Sequence, residues 1–185
     1  MTTEHTIALQ GVDWASIPKL APHEWPTIAQ GPLAGDSVLA HMEPGVIEAL
    51  AELRASLPDD YAIHPSPNWQ GHVRYEGSSR HSLGYGLTYG LTSKARLSDA
   101  TDVFLAWGHI WTAWAYAQRI PEIGGLGIYL DTHRSGVSTP MLHIDTRPER
   151  ILWVRYTVQG EQRYVYEHSD PASFFSAIGA RAKVA

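Results

Sequence analysis

Apolar residues recur at Val46, Ala49, Leu50, Leu53 and Leu57, the i, i+3, i+4, i+7 spacing of one helical face, and Pro58 ends the run. A short amphipathic helix is expected there. A second helical pattern follows Ser98, which reads as an N-cap with Asp99 and Asp102 in the first turn. Val103, Trp107, Ile110, Trp111 and Trp114 then line one face, up to Pro121. This segment is expected to be the central helix. Elsewhere the pattern is that of strands: Tyr61 to His64, Leu126 to Leu130, Met141 to Asp145, Ile151 to Val158 and Arg163 to Glu167. Gln159-Gly160-Glu161-Gln162 joins the last two as a hairpin, and a hairpin is also the simplest link between the strands at 126–130 and 141–145. Asp170-Pro171 opens a C-terminal helix with Phe174, Phe175 and Ile178 on its apolar face.

Residues 1–44 differ from the rest. They carry prolines at 18, 22, 26, 32 and 44 and sustain no period of 2 or 3.6, so an extended N-terminal arm is expected over 1–44 and a folded domain over 45–185. Strands mixed with helices in this order give an α+β domain built on an antiparallel sheet with flanking helices. At 185 residues the chain fits one such domain.

Composition narrows the chemistry. The net charge is -5 and Lys and Arg cluster nowhere, which argues against nucleic acid or an anionic membrane as a partner. No apolar stretch is long enough to span a bilayer. There is no cysteine, so any metal must be held by His, Asp or Glu. The opening MTTEHTIALQGVDWASIPKL lacks the basic start and apolar run of a secretory signal, so synthesis in the cytoplasm is expected.

Two segments hold the candidate chemistry. One is Ser79-Arg80-His81-Ser82-Leu83-Gly84-Tyr85-Gly86-Leu87-Thr88. The other runs from Gly124-Gly125-Leu126-Gly127-Ile128-Tyr129 to Met141-Leu142-His143-Ile144-Asp145-Thr146-Arg147. Together they resemble the zinc D-Ala-D-Ala carboxypeptidase and endolysin superfamily, which shares its fold with hedgehog signalling domains. Its first motif reads S-x-H-x-x-G-x-A-x-D, and in one branch a G-G-I-G-x-Y segment precedes a strand beginning H-x-D. The resemblance covers the stretch from Ser79 to Arg155. It implies a hedgehog/DD-peptidase-like fold, with His81 and His143 as zinc ligands and Asp145 as the acidic residue of H-x-D, a candidate catalytic group. In such a site three protein ligands leave one position open for a water that becomes the nucleophile.

The chain also departs from that pattern. Thr88 stands where the motif has its ligand Asp, and a neutral hydroxyl replaces neither the charge nor the donor strength of a carboxylate. Pro140 occupies the place of an acid found three residues before the strand histidine in many relatives. The S-G-Y-R strand of relatives, whose Arg faces the substrate, has no counterpart, since Ile63 is followed by His64-Pro65-Ser66-Pro67-Asn68.

Blander readings stand beside these. His81 can be a histidine bonded to a loop, and His143 with Asp145 a simple pair on one strand face. His72, His109 and His133 are remote substitutes as ligands. Trp107, Trp111 and Trp114 are core by their spacing, whereas Trp69, in a polar loop, is the candidate for stacking on a sugar or a partner. The glycines of Gly124-Gly125-Leu126-Gly127 read as turn residues. The lost carboxylate favours a degenerate peptidase fold with no cofactor, kept as a structural or wall-contacting component of a phage tail or baseplate. Its arm would strap onto neighbouring phage proteins, and the protein would be virion-associated. The alternative is an active zinc-dependent peptidase that cuts D-Ala bonds of peptidoglycan.

Overall fold

The computed structural model describes residues 12, 14, 20–84 and 97–182. A six-stranded sheet carries strands in the order β1 (His64–Pro65), β2 (Ala100–Phe104), β6 (Met141–Asp145), β3 (Gly125–Tyr129), β7 (Ile151–Val158) and β8 (Glu161–Tyr166). The small hairpin β4 (His133–Arg134) and β5 (Val137–Ser138) is inserted between β3 and β6. Helices α1 (Pro44–Ser56), α2 (Trp107–Ala117) and α3 (Pro171–Ala182) complete an α+β architecture.

The sheet is mixed rather than antiparallel throughout, because β3 and β7 run parallel. Leaving β6 at Asp145, the chain crosses the end of β3 and pairs on its far side, with Ile151 opposite Gly125. The crossing passes directly over Gly124, where a Cβ would lie 1.7 Å from the Arg147 carbonyl oxygen. Only glycine fits there.

The central helix begins later than its pattern suggests. Residues 100–104 are β2, paired residue for residue with β6, and α2 starts at Trp107. The Ser98 hydroxyl donates to the His72 carbonyl and caps no helix. Thr101 and Val103 are β-branched, and all five residues of β2 are buried, so pairing on β6 outweighs local helical preference. On α2, Ile110, Ala113 and Ala117 form the innermost stripe, and the tryptophans pack partly buried around it.

Other elements keep close to the pattern. Helix α1 buries Val46, Ala49, Leu50 and Leu53 as expected. The β7–β8 hairpin turns on Gln159 and Gly160, both at positive φ (53° and 82°), a two-residue turn whose twist matches the strands. Helix α3 buries Phe174 but leaves Phe175 57% exposed, so its apolar face is narrower than the sequence implies.

One core joins these parts. Leu126, Ile128, Leu142, Ile144 and Val154 from the sheet pack with residues of all three helices. Leu20, Trp25, Ile28, Val38, Leu39 and Met42 from the expected arm are buried in the same core. The described part of residues 1–44 is therefore packed on its own domain.

Candidate metal centre

Directly paired residues in a sheet share a face, and alternate residues of one strand share it too. Asp102 pairs with His143, His143 with Gly127, and Gly127 with Trp153. This row lies on the face opposite the aliphatic core, and Phe104, Met141 and Trp153 on the same face are buried but stand outside that core. His81 reaches the row from a turn pinned by Arg74 N donating to His81 O and Leu83 N donating to Arg74 O. An Arg80–Asp99 ion pair ties this turn to the chain entering β2.

Three lone-pair atoms converge there. His81 Nε2 lies 3.0 Å from His143 Nδ1 and 3.4 Å from Asp102 Oδ1, and His143 Nδ1 lies 3.0 Å from Asp102 Oδ1. All three side chains are buried. Tetrahedral zinc with ligand bonds of about 2.0–2.1 Å holds its ligand atoms about 3.3 Å apart, so these separations fit a cation at their centre. The donor set, two imidazoles and one carboxylate, is that of a site with one position left open. His81 Nδ1 is buried with no hydrogen-bond partner among the described residues. Its ring is therefore held chiefly from the Nε2 side.

A carboxylate thus stands beside the two histidines, supplied by Asp102 rather than by position 88. Thr88 lies outside the described residues. Ala100-Thr101-Asp102 repeats the A-x-D end of the motif, displaced along the chain from Ser79, His81 and Gly84. Asp102 lies in a segment whose sequence reads as a helix start.

Asp145 is placed behind His143. It is 0% exposed, its Oδ2 lies 3.0 Å from His143 Nε2, and its Oδ1 accepts from Arg147 N and Nε at 3.1 and 2.7 Å. Arg147 Nη2 also pairs with Oδ2. With Asp145 accepting the Nε2 proton, Nδ1 faces Asp102 and His81, where its lone pair becomes available once the proton it shares with Asp102 is displaced. Asp145 is therefore built as a positioning residue, with both oxygens occupied. Gly125 makes this possible: a Cβ there would lie 2.2 Å from Asp145 Oδ2. Gly127 likewise admits the Trp153 indole, 2.3 Å from its would-be Cβ, and that ring lies 5.0 Å from His143. Both glycines, expected in a turn, are strand residues that clear space for the site.

The electrostatics follow from burial and contact. Burial alone would raise the Asp102 carboxyl, but His81 and His143 outweigh it and hold it well below the usual carboxylate range. Burial likewise opposes ionisation of Asp145, and bonds from His143 and Arg147 reverse that effect. His81 is pushed down, chiefly by burial. For His143 burial is outweighed by hydrogen bonds to Asp102 and Asp145, and the ring is pushed up.

The remaining candidates are placed elsewhere. Trp69 is only 8% exposed, on a turn against Tyr75, and offers no open stacking surface. His72 is buried, with Nε2 donating to Ser66 O at 2.8 Å and Nδ1 accepting from Thr101 Oγ1 at 2.9 Å, and burial lowers it to about 4. It is a neutral structural histidine. His109 stacks on Tyr61 at 3.9 Å and lines a cavity of about 580 Å³ with His64 and Arg134, which none of the three convergent residues touches.

No helix among the described residues is long and apolar enough to cross a membrane. Comparison with models of protein families, with curated proteins and with solved structures finds no match.

Proposed function

We propose that this chain is a zinc-dependent hydrolase of peptidoglycan peptide bonds with a hedgehog/DD-peptidase-like fold. The observation that carries the reading is the convergence of His81 Nε2, Asp102 Oδ1 and His143 Nδ1 within 3.4 Å of one another. The reading as a degenerate module rests on a missing ligand carboxylate, and the Asp102 carboxylate beside both histidines supports the active form instead. Zinc bound there would polarise a carbonyl and acidify a water.

The chain's own residues do the rest. His81, Asp102 and His143 would hold the cation, Asp145 would keep His143 in the ligating tautomer, and Arg147 holds Asp145. The Trp153 and Tyr129 rings lie 5.0 and 6.3 Å from the His143 ring, which is 4% exposed. Asp145 is not free to take a proton, and Pro140 stands where relatives place a base. Turnover slower by about 10²–10⁴-fold than in a site with a positioned base is expected.

That same deficit favours a second reading. A cation-holding module without efficient catalysis, carried in a phage tail or baseplate and touching the cell wall, needs the centre but not the base.

The test is zinc stoichiometry on the purified full chain, followed by digestion of peptidoglycan and analysis of the released muropeptides. One zinc per chain, lost in His81→Ala and Asp102→Ala, with new free D-Ala or cleaved cross-links, supports the hydrolase. Zinc without cleavage supports the module. A chain that takes up no zinc overturns both.

A further inference from the structure

On the metal face the aromatic rings do not stop at the centre. The Tyr129 ring lies parallel to His143 at 6.3 Å and meets Tyr164 edge-on at 6.3 Å. Trp153 lies 5.0 Å from His143 and 6.3 Å from Tyr166, which in turn lies 5.8 Å from His168. Two ring paths therefore leave the ligand histidine and run outward across β3, β7 and β8. They end on the edge strand, where Tyr164 is 46% and Tyr166 38% exposed. Two residues apart on one strand, these tyrosines stand about 6.8 Å from each other along it and point to the same side as His143.

The polar groups along this path are planar and held in place. The Arg155 guanidinium lies 4.2 Å over the Tyr129 ring and donates to Asp131 Oδ1 from Nε and Nη2 at 3.0 and 2.8 Å. Thr157 donates to the other oxygen of Asp131. The opposite side of β8 is different: Val165 packs on the core, and Arg163 and Glu161 form an exposed ion pair. On β8, aromatic exposure is thus confined to the side shared with His143 and is continuous with the rings around it.

Fixed aromatic faces rimmed by planar hydrogen-bonding groups suit a saccharide. The C–H faces of a pyranose stack on the rings, and its hydroxyl and acetamido groups take hydrogen bonds from Arg, Tyr and His. A tyrosine has few rotors, so ordering it costs little. We infer that Tyr164 and Tyr166 form a glycan subsite that holds the amino-sugar strand of the substrate while its peptide enters the metal centre. This rests on the peptidoglycan reading above.

The experiment measures binding of a β-1,4-linked N-acetylglucosamine tetramer to the full chain, by calorimetry and by saturation-transfer NMR. Saturation should reach the sugar ring protons, and Tyr164→Ala and Tyr166→Ala should each weaken binding about tenfold, or about 1.4 kcal/mol, while zinc stoichiometry stays as in the parent. His81→Ala, which removes a ligand of the centre but no part of the strip, should bind the tetramer as the parent does. That result would hold even if no peptide were cleaved, so the two readings fail separately. No binding at millimolar tetramer, or binding that survives both tyrosine substitutions, overturns the subsite. Binding of a free stem peptide that both substitutions abolish, with the sugar ignored, overturns it as well.

Discussion

The two faces of the sheet are built from alternate residues of the same strands, yet they obey different rules. On one, Leu126, Ile128, Leu142, Ile144 and Val154 meet the helices and are buried for the apolar area they remove from water. On the other, Asp102, His143 and Asp145 are as deeply buried but polar, and each is tolerated because its neighbour supplies the opposite charge or a hydrogen bond. The first face makes the domain stable. The second keeps three lone pairs close together, an arrangement a cation relieves and protons relieve only in part.

Single substitutions on β2 and β6 should separate metal binding from stability. Asp102→Ala has the largest expected effect on the centre: zinc affinity falls by more than about a hundredfold, beyond the range seen for an outer-shell partner. In titrations against a chelator of known affinity, Thr88→Asp should change nothing, since the carboxylate is already supplied. A gain of zinc in that variant alone would sink the Asp102 assignment.

Next to His143 but facing the core, Leu142→Ala should cost about 2–5 kcal/mol in denaturant unfolding. Its zinc stoichiometry should stay at the parent value. Loss of zinc from a still-folded Leu142→Ala protein would show that the two faces are not separable.

Asp145→Asn keeps the size of the side chain and removes its charge. A drop in zinc affinity of about 10–100-fold is expected, the range for a group that orients a ligand histidine. If Asp145 worked as a base instead, affinity would be unchanged and only turnover would fall.

The smallest effect is in the pH dependence of the metal-free protein. His143 is pushed up, so its contribution is present below its unfolded value of 6.5 and is lost as pH rises through its folded value. His81 and His72 are pushed down, so stability falls as pH drops below 6.5 and the unfolded chain takes up protons that the fold refuses. Asp102 and Asp145 are held low and lose their contribution only at still more acid pH, as they protonate. Melting temperature without zinc should therefore peak near pH 6.5. With zinc in place of the proton at His143, the alkaline decline should vanish, and a parallel decline with and without metal would contradict the site.

Local patterns in the sequence were enough for α1, the β7–β8 hairpin, the strand at 141–145 and the start of α3, because each rests on a periodicity or turn chemistry within a few residues. His81 and His143 were visible as a pair for the same reason: each sits in a short motif. Asp102 was not. Ser98, Asp99 and Asp102 have the composition of a helix N-terminus, and the apolar residues that follow continue a helical period. What makes 100–104 a strand is its pairing with β6, 41 positions away at the Asp102–His143 contact. Trp69 and the glycines of 124–127 were misplaced for a related reason, since burial of a loop and the space above a strand depend on what other segments bring to them. The chain's composition limits any metal to His, Asp or Glu, because it has no cysteine. That Asp102 is the carboxylate beside His81 and His143 follows from strand pairing alone, because sheet register is a long-range property that no local window contains.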